Sequence, residues 1–528
     1  MYIYNFCIAC IVIILLTIRR QIHIIQLNSY NLDQQLLWYK KNLASFTFNI
    51  SLPVSLVLYY EFKFIPANFV VIISIFGLLI ENLPRKQKKK LVYTKRIIRL
   101  IFLCIVLFTP LIVPTYIYRS EYGLKFAVYA LAFSPAIIFL AYLILLPIEN
   151  SFRKKFTIEA KNIIKKNDRL YTIGVTGSFG KTSVKNYLYR LLSLKYYTCM
   201  TPESYNTAMG NTITIKKDLK NIHEIFISEM GARRAHDIEE ICDIVFPNGA
   251  IITDVGNMHL DTFKSVDNVL KTKFELVDSV AKNVKKSGVV DKKIVLLNGD
   301  NEIIRKNAEN YKDFGLYIYF YGLKDNNDFY ATDIILGSSG TTFTFKAQDK
   351  KIPSIRIETT LLGNYNVKNL VAAISYAMLL GVDSDDIKNE IKKIEAVPHR
   401  LKLLAYDKNN LIIDDAYNSN PSGVKNAVDV LNSFDDYIKI IITPGMVELS
   451  DKQDMENENF AEYAGKYVDY ALIVGDTNKS SLERGFKAKM TEDKVYSFLK
   501  VEEAIAFAKG ISRDKKVILL ENDLSDNY

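Results

Sequence analysis

The chain is poor in cysteine, and what it has shows no pattern. Five cysteines scattered through 528 residues exclude a disulfide framework and a zinc cluster, which fits a reducing compartment. Cys7 and Cys10 have CxxC spacing but lie in an apolar run, where buried thiols are the expected outcome. No basic stripe interleaved with aromatics occurs, so the net charge of +10 does not point to nucleic acid as a partner. The N-terminus lacks both a positive n-region and an A-x-A-like site, so its apolar stretch does not read as a cleavable signal peptide. Clusters of Asp, Glu or Arg are missing from the long apolar runs, which leaves no transport pathway through them.

What is present divides the chain in two. Apolar runs at roughly 2–18, 46–60, 64–81, 97–118 and 124–147 read as membrane spans, the second of them short and broken by Pro53. Basic clusters follow at Arg19-Arg20, Lys40-Lys41, 85–90 with Lys95-Arg96, and 153–155. With five helices and an outside N-terminus, the positive-inside rule puts all of them on the cytoplasmic face. The expectation is a membrane α-helical region over residues 1–150, multi-pass in the cell membrane, with membrane lipid as a partner and the rest of the chain in the cytoplasm. Residues 21–45 carry Trp38 and Tyr39 and read as an interfacial loop between the first two spans.

From about residue 156 the pattern becomes α/β. "LYTIGVTG" reads as a short buried strand and "KTSVKNYLYRLLSL" as a helix with apolar positions at helical spacing. A strand-to-helix turn aims backbone N–H groups and a helix N-terminus at one point, which suits phosphate. Lys181 is placed to reach outer phosphates and Thr182 to ligate Mg²⁺. The pattern G-x-x-x-x-G-K-[ST] is not met in full, because Val175 stands at the first glycine position; Thr176, Gly177, Gly180, Lys181, Thr182 and Ser183 remain. Two further strands follow. Glu229 ends the first and His259 lies just beyond the second, both at the carboxyl edge where parallel sheets bind ligands.

At this point the chain resembles the Mur ligases, most of all the branch that adds D-alanyl-D-alanine. "VTGSFGKTS", "TPESYNTAMGNTITI", "SEMGARRAHDIEEI", "ITDVGNMHLDTFKSVDNVLKTKFEL", "LNGDN", "LLGNYNVKNLVAAISYAMLLG", "VPHRLK", "IIDDAYNSNP" and "ITPGMVEL" carry the likeness, in order, over about residues 165–480. The resemblance implies a P-loop-type parallel-sheet central ATPase domain over 151–396 and a C-terminal Rossmann-like α/β domain over 397–528. The family's UDP-binding N-terminal domain has no counterpart; the apolar region stands in its place.

The resemblance also implies a reaction. ATP phosphorylates a carboxylate, an amine attacks the acyl phosphate, and an amide forms, with cations screening two anions as they meet. On this reading Lys181 and Thr182 hold phosphates and a first Mg²⁺, Glu229 is a metal ligand, and His259 binds a second Mg²⁺. Lys273 matches a lysine that CO₂ carbamylates, which turns a cation into an anionic oxygen ligand. Asn298 and Asp300 are weaker matches. Asn366 and Asn369 resemble residues that approach the adenine, with Tyr365 standing where the family often has His. Arg400, Asp415 and Asn418 reach the nucleotide when the C-terminal domain closes about a hinge near 395–399. The expected partners are a carboxylate-bearing envelope precursor and an amino acid or dipeptide. At the end of the chain, Glu521-Asn522-Asp523-Leu524 replaces the family's usual Lys-Gly-Ser-Arg, an acidic loop that suits an amine donor with exposed positive charge. Two other readings are a polyglutamate-type synthetase of the same superfamily and a non-catalytic ATP-binding membrane scaffold.

Overall fold

The computed structural model describes residues 2–28, 30–41, 90–117, 130, 133–256, 260–405, 410–416, 420–447, 449–511 and 515–523. Met1–Lys155 and Phe156–Tyr528 form two compact units.

The described part of the first unit is helical: Tyr2–Leu27, Leu32–Lys41, Lys95–Ile117 and the start of Ser134–Lys166. Its apolar side chains are divided between a core and the surface. Ile14, Ile18, Ile22, Leu100, Phe108, Ile138 and Ala141 pack together, while Leu15, Phe102, Ile105 and Leu140 are exposed. Among the described residues two helices, Lys95–Val113 and Ser134–Lys166, are long and apolar enough to cross a membrane, at mean hydropathy 2.4 and 1.7. A third exists only if Ile11–Leu27 and Leu32–Lys40, which meet at a 117° bend, form one broken span. The expected spans at 46–60 and 64–81 lie outside the described residues, and that at 124–147 does so in part.

The multi-pass cell-membrane location is corrected: among the described residues two helices, or three with the bent pair, are long and apolar enough to cross a membrane, and the chain resembles ligases with no such region in their names. The first run lies within the unbroken helix Tyr2–Leu27; the chain bends after it, at Asn28, whose amide donates to Gln35 Oε1 at 2.8 Å, and part of the helix's apolar surface serves a core within the unit. The expected lipid partner rested on the span count and is not carried further.

The second unit contains two sheets. The first has nine strands in the order β2-β3-β1-β4-β5-β6-β7-β8-β9. These are β1 Tyr171–Thr176, β2 Thr198–Met200, β3 Ile225–Glu229, β4 Gly249–Ile252, β5 Ile294–Asn298, β6 Tyr317–Gly322, β7 Phe329–Gly337, β8 Gly340–Ala347 and β9 Ile355–Thr359. Strands β1 to β7 run parallel, and β8 and β9 continue as an antiparallel meander. β1, β3, β4 and β5 are buried at every position because helices cover both faces, which explains why they read as continuous apolar runs rather than as alternation. On one face Ile173, Val175 and Ile251 pack against Val184, Leu188 and Leu191 of the Lys181–Leu192 helix. On the other, Phe226, Ala250 and Ile252 meet Phe274, Leu276 and Val277 of the Val266–Lys282 helix.

The second sheet has six strands in the order β10-β11-β15-β12-β13-β14. These are β10 Lys402–Ala405, β11 Asn410–Asp415, β12 Ile438–Thr443, β13 Tyr470–Val474, β14 Val495–Phe498 and β15 Lys516–Glu521. All but β10 are parallel. Asn420 caps the helix after β11, accepting from Ser422 N and Gly423 N with Pro421 at the first turn, so the end of "IIDDAYNSNP" is a helix start.

Candidate active site

β1 lies between β3 and β4, with Val175 opposite Glu229 and Thr176 opposite Ile252, so three strand ends converge at one carboxyl edge. The turn after β1 is held from β4: Ser178 N donates to Asp254 O at 2.7 Å, and Thr253 Oγ1 donates to the Phe179 carbonyl. Gly177 has φ +148, and a Cβ there would lie 2.1 Å from Thr253 Oγ1. Gly180 has φ +79, and a Cβ there would lie 2.6 Å from Asn369 Oδ1 and 3.0 Å from the Tyr365 hydroxyl. Both glycines are thus required by backbone conformation and by close approach.

Lys181 begins the helix and folds its Nζ onto the loop, donating to Gly177 O at 2.7 Å and Ser178 O at 3.2 Å. Those carbonyls hold the ammonium where outer phosphates are expected. Burial pushes this lysine down to about 8; Glu229 opposes the shift and Arg400 adds to it. Thr182 Oγ1 donates to Glu229 Oε1 at 3.1 Å. Thr176 Oγ1 is used internally, on Met230 O at 2.8 Å, and Ser183 is buried. Lys273, on the Val266–Lys282 helix, is 4% exposed and is pushed to about 7 by burial first and then by the Lys181 charge.

The structure therefore brings Lys181, Thr182, Glu229 and Lys273 into one electrostatic neighbourhood, with Arg400 within reach of Lys181. Arg400 also acts on Asp415, at the end of β11. Burial raises Asp415 to about 6 against the pull of Arg400 and a hydrogen bond from Leu401 N at 3.1 Å. Arg400 stands between two non-glycine residues in the left-handed region, His399 at φ 60 and Leu401 at φ 48.

Other expected residues are placed differently. Asn366 is engaged structurally, accepting from the Tyr187 hydroxyl at 2.8 Å and donating to Leu362 O at 3.0 Å, whereas Asn369 faces the phosphate loop at Gly180. Asn298 donates to Thr253 O at 2.9 Å, and Asp300 accepts from Leu323 N at 2.8 Å, so both brace loops. His259 and Asn418 lie outside the described residues. Glu521 is not in a loop: it ends β15, fully buried, in register with Asp415. Asn522 donates to Gly445 O at 2.6 Å.

Sequence reasoning missed Lys185 and Asn206. Lys185 is wholly buried with its Nζ 3.0 Å from Glu229 Oε2, and Asn206 Nδ2 donates to Glu229 Oε1 at 3.2 Å. The signal for Lys185 was its spacing, four residues after Lys181 and hence on the same helix face.

Mg²⁺ takes oxygen ligands and is usually held by one or two carboxylates together with substrate phosphates. Thr182 Oγ1 and Glu229 Oε1 are a donor set of that kind, and among the described residues no group of three His, Cys, Asp or Glu forms an all-protein cage.

A phosphate loop at the edge of one parallel sheet, followed by a second parallel sheet whose strand end carries Asp415, defines an ATP-dependent, ADP-forming ligase. Residues 175–377 match the Mur ligase middle domain and 399–521 the Mur ligase glutamate ligase domain, together more than half of the chain. The chain belongs to the Mur ligase family, whose members use ATP and Mg²⁺. It is 27% identical over 370 residues to a UDP-N-acetylmuramoyl-tripeptide--D-alanyl-D-alanine ligase of Buchnera aphidicola, covering 68% of this chain and 78% of that one. It is 28% identical to the ligase of the same name from Bacillus subtilis, where the match spans 53% of this chain and only 57% of the relative. Among solved structures it is similar to MurF from Acinetobacter baumannii, at TM-score 0.62 and 24% identity over 71% of this chain and 78% of that one. MurF from Thermotoga maritima in complex with ADP gives TM-score 0.60 and 23% identity over 70% and 80%.

Proposed function

We propose that the chain joins an amine to the carboxylate of a peptidoglycan-type precursor, the pair being a UDP-N-acetylmuramoyl tripeptide and D-alanyl-D-alanine, as the names of its relatives suggest. Residues 151–396 act as the ATP-binding domain and 397–528 as the closing domain, after an N-terminal region over 1–150. The observation that carries the reading is the convergence of Lys181, Thr182 and Glu229 at one strand edge.

In this mechanism Gly177 and Gly180 let the backbone approach the phosphates, and Lys181 leaves its loop carbonyls for the γ-phosphate. Thr182, Glu229 and His259 would hold Mg²⁺, two ions in all, and the metal would supply positive charge where carboxylate and phosphate meet. Phosphoryl transfer leaves ADP; the amine then attacks the acyl carbon, and phosphate departs. Asn369 borders the nucleotide through its contact with the phosphate loop, with Asn366 orienting the helix behind it. Arg400 and Asp415, with Asn418, close over the site about the left-handed pair His399 and Leu401 and exclude water from the acyl phosphate. Lys273 is carbamylated: a lysine held near 7 populates the neutral amine that CO₂ requires, and the product replaces a cation repelled by Lys181 with an anion.

The test is incubation with ATP, Mg²⁺ and a panel of envelope precursors and amines, followed by mass spectrometry. One acceptor–amine pair gains an amide with stoichiometric ADP. ADP release that is indifferent to every carboxylate and amine offered refutes the reading.

A further inference from the structure

Lys185 has no part in the mechanism above, yet a wholly buried lysine is costly to keep. Its Nζ lies 3.0 Å from Glu229 Oε2 and also donates to the Glu203 carbonyl. Glu203 has φ 42, a left-handed conformation that costs a non-glycine residue about 1–2 kcal/mol and needs an anchor. The segment from Thr201 to Asn211 is built around Glu229. Glu229 N donates to Thr201 Oγ1 at 3.1 Å, and its carbonyl accepts from Asn211 Nδ2 at 3.1 Å. Oε1 accepts from both Asn206 Nδ2 at 3.2 Å and Thr182 Oγ1 at 3.1 Å.

We infer that Lys185 is a positioning residue that latches the Thr201–Asn206 loop to the metal-site carboxylate, so that cation binding at Glu229 and the conformation of that loop are coupled. The inference rests on the reading above only in taking Glu229 as a carboxylate that meets Mg²⁺. A carboxylate oxygen has two lone-pair directions, and Oε1 uses both. A cation on Oε1 displaces one donor. Thr182 is fixed in the first turn of a helix, whereas Asn206 stands on a half-buried loop, so Asn206 leaves. Oε2 stays beside Lys185 through their buried ion pair at 3.0 Å, which keeps the carboxylate from rotating after the loop. The loop then moves about a retained Lys185–Glu203 anchor, and the metal site reports its occupancy to a segment beside the phosphate loop.

The experiment is hydrogen–deuterium exchange of the full chain in AMP-PNP, with and without Mg²⁺, read at 201–206, together with a Mg²⁺ titration. In wild type, Mg²⁺ speeds exchange in this segment several-fold. In Lys185→Met the segment exchanges fast without Mg²⁺, shows no further change, and Mg²⁺ binds about 10- to 100-fold more weakly, as when a group supporting a ligand is lost. Lys185→Arg restores the Mg²⁺ response. Asn206→Ala, which removes no buried charge, binds Mg²⁺ at least as well as wild type and loses the response; it decides the matter if Lys185→Met does not fold. A Mg²⁺-linked change that persists in Lys185→Met or Asn206→Ala overturns the inference. So does a wild-type loop that ignores Mg²⁺ while nucleotide binds. Failure of wild type to bind AMP-PNP at all sinks the ligase reading and the coupling with it.

Discussion

Replacing Lys273 by Met makes the protein more stable, and by an amount that depends on pH. The folded chain holds this side chain 4% exposed and shifts it from 10.5 to about 7, chiefly by burial. Between those values the unfolded chain keeps the proton and the folded chain releases it. The unfolded state binds more protons, so wild-type stability rises with pH across that interval. Below it the lysine is charged in both states and the full penalty of burying a cation is present. At about 1.4 kcal/mol per pKa unit, that penalty is about 5 kcal/mol near pH 6 and about 2 kcal/mol near pH 9. Methionine has similar length and no charge, so Lys273→Met removes the penalty while keeping the packing. The assay is urea unfolding of both proteins in CO₂-depleted buffer at the two pH values. The variant's advantage shrinks by about 3 kcal/mol from the acidic to the alkaline condition. A variant less stable than wild type by the same margin at both would refute the burial argument.

Adding ¹³C-labelled bicarbonate to folded wild type near pH 8 raises the melting temperature and gives a bound carbamate signal by ¹³C NMR, with neither effect in Lys273→Met. Gly180→Ala forces alanine to φ +79 and toward Asn369 Oδ1; it costs about 1–2 kcal/mol by thermal unfolding and weakens ADP binding at least tenfold by calorimetry. Lys181→Met leaves the melting temperature within a few degrees of wild type but lowers ATP turnover by about 100-fold or more, measured as ADP release. Asn420→Ala removes the cap after β11 and costs about 1 kcal/mol in urea unfolding, with nucleotide binding to Lys181 and its loop unchanged.

The phosphate loop was legible because its chemistry is local. A strand, two glycines and a Lys-Thr pair at a helix start need only neighbouring residues to specify them, and Glu229 was legible as the polar residue ending an apolar run. The multi-pass location was misread for the converse reason. Hydropathy measures what a segment is made of, and Ile14, Ile18 and Ile22 satisfy it equally well in a helical core. Lys185 was passed over despite its spacing from Lys181, because a lysine on a helix is ordinarily solvated; only the packing of β3 beside that helix buries it against Glu229. Asn366 and Asn369 looked equivalent, three residues apart on one helix, until the neighbouring Tyr187 claimed the first and Gly180 approached the second.

The sequence by itself determined the local elements of the second unit and the chemical vocabulary: buried parallel strands, the glycine turn at Gly177 and Gly180, and the identities of the charged residues at strand ends. The tertiary structure alone decided which charges meet. Placing β1 between β3 and β4 puts Lys181, Glu229 and Lys185 together although they are up to 48 residues apart; burial lowers both lysines, and the Glu229 charge opposes that shift in each. Charge–charge energies depend on distance and on exclusion of water, and neither is a property of a residue's position in the chain.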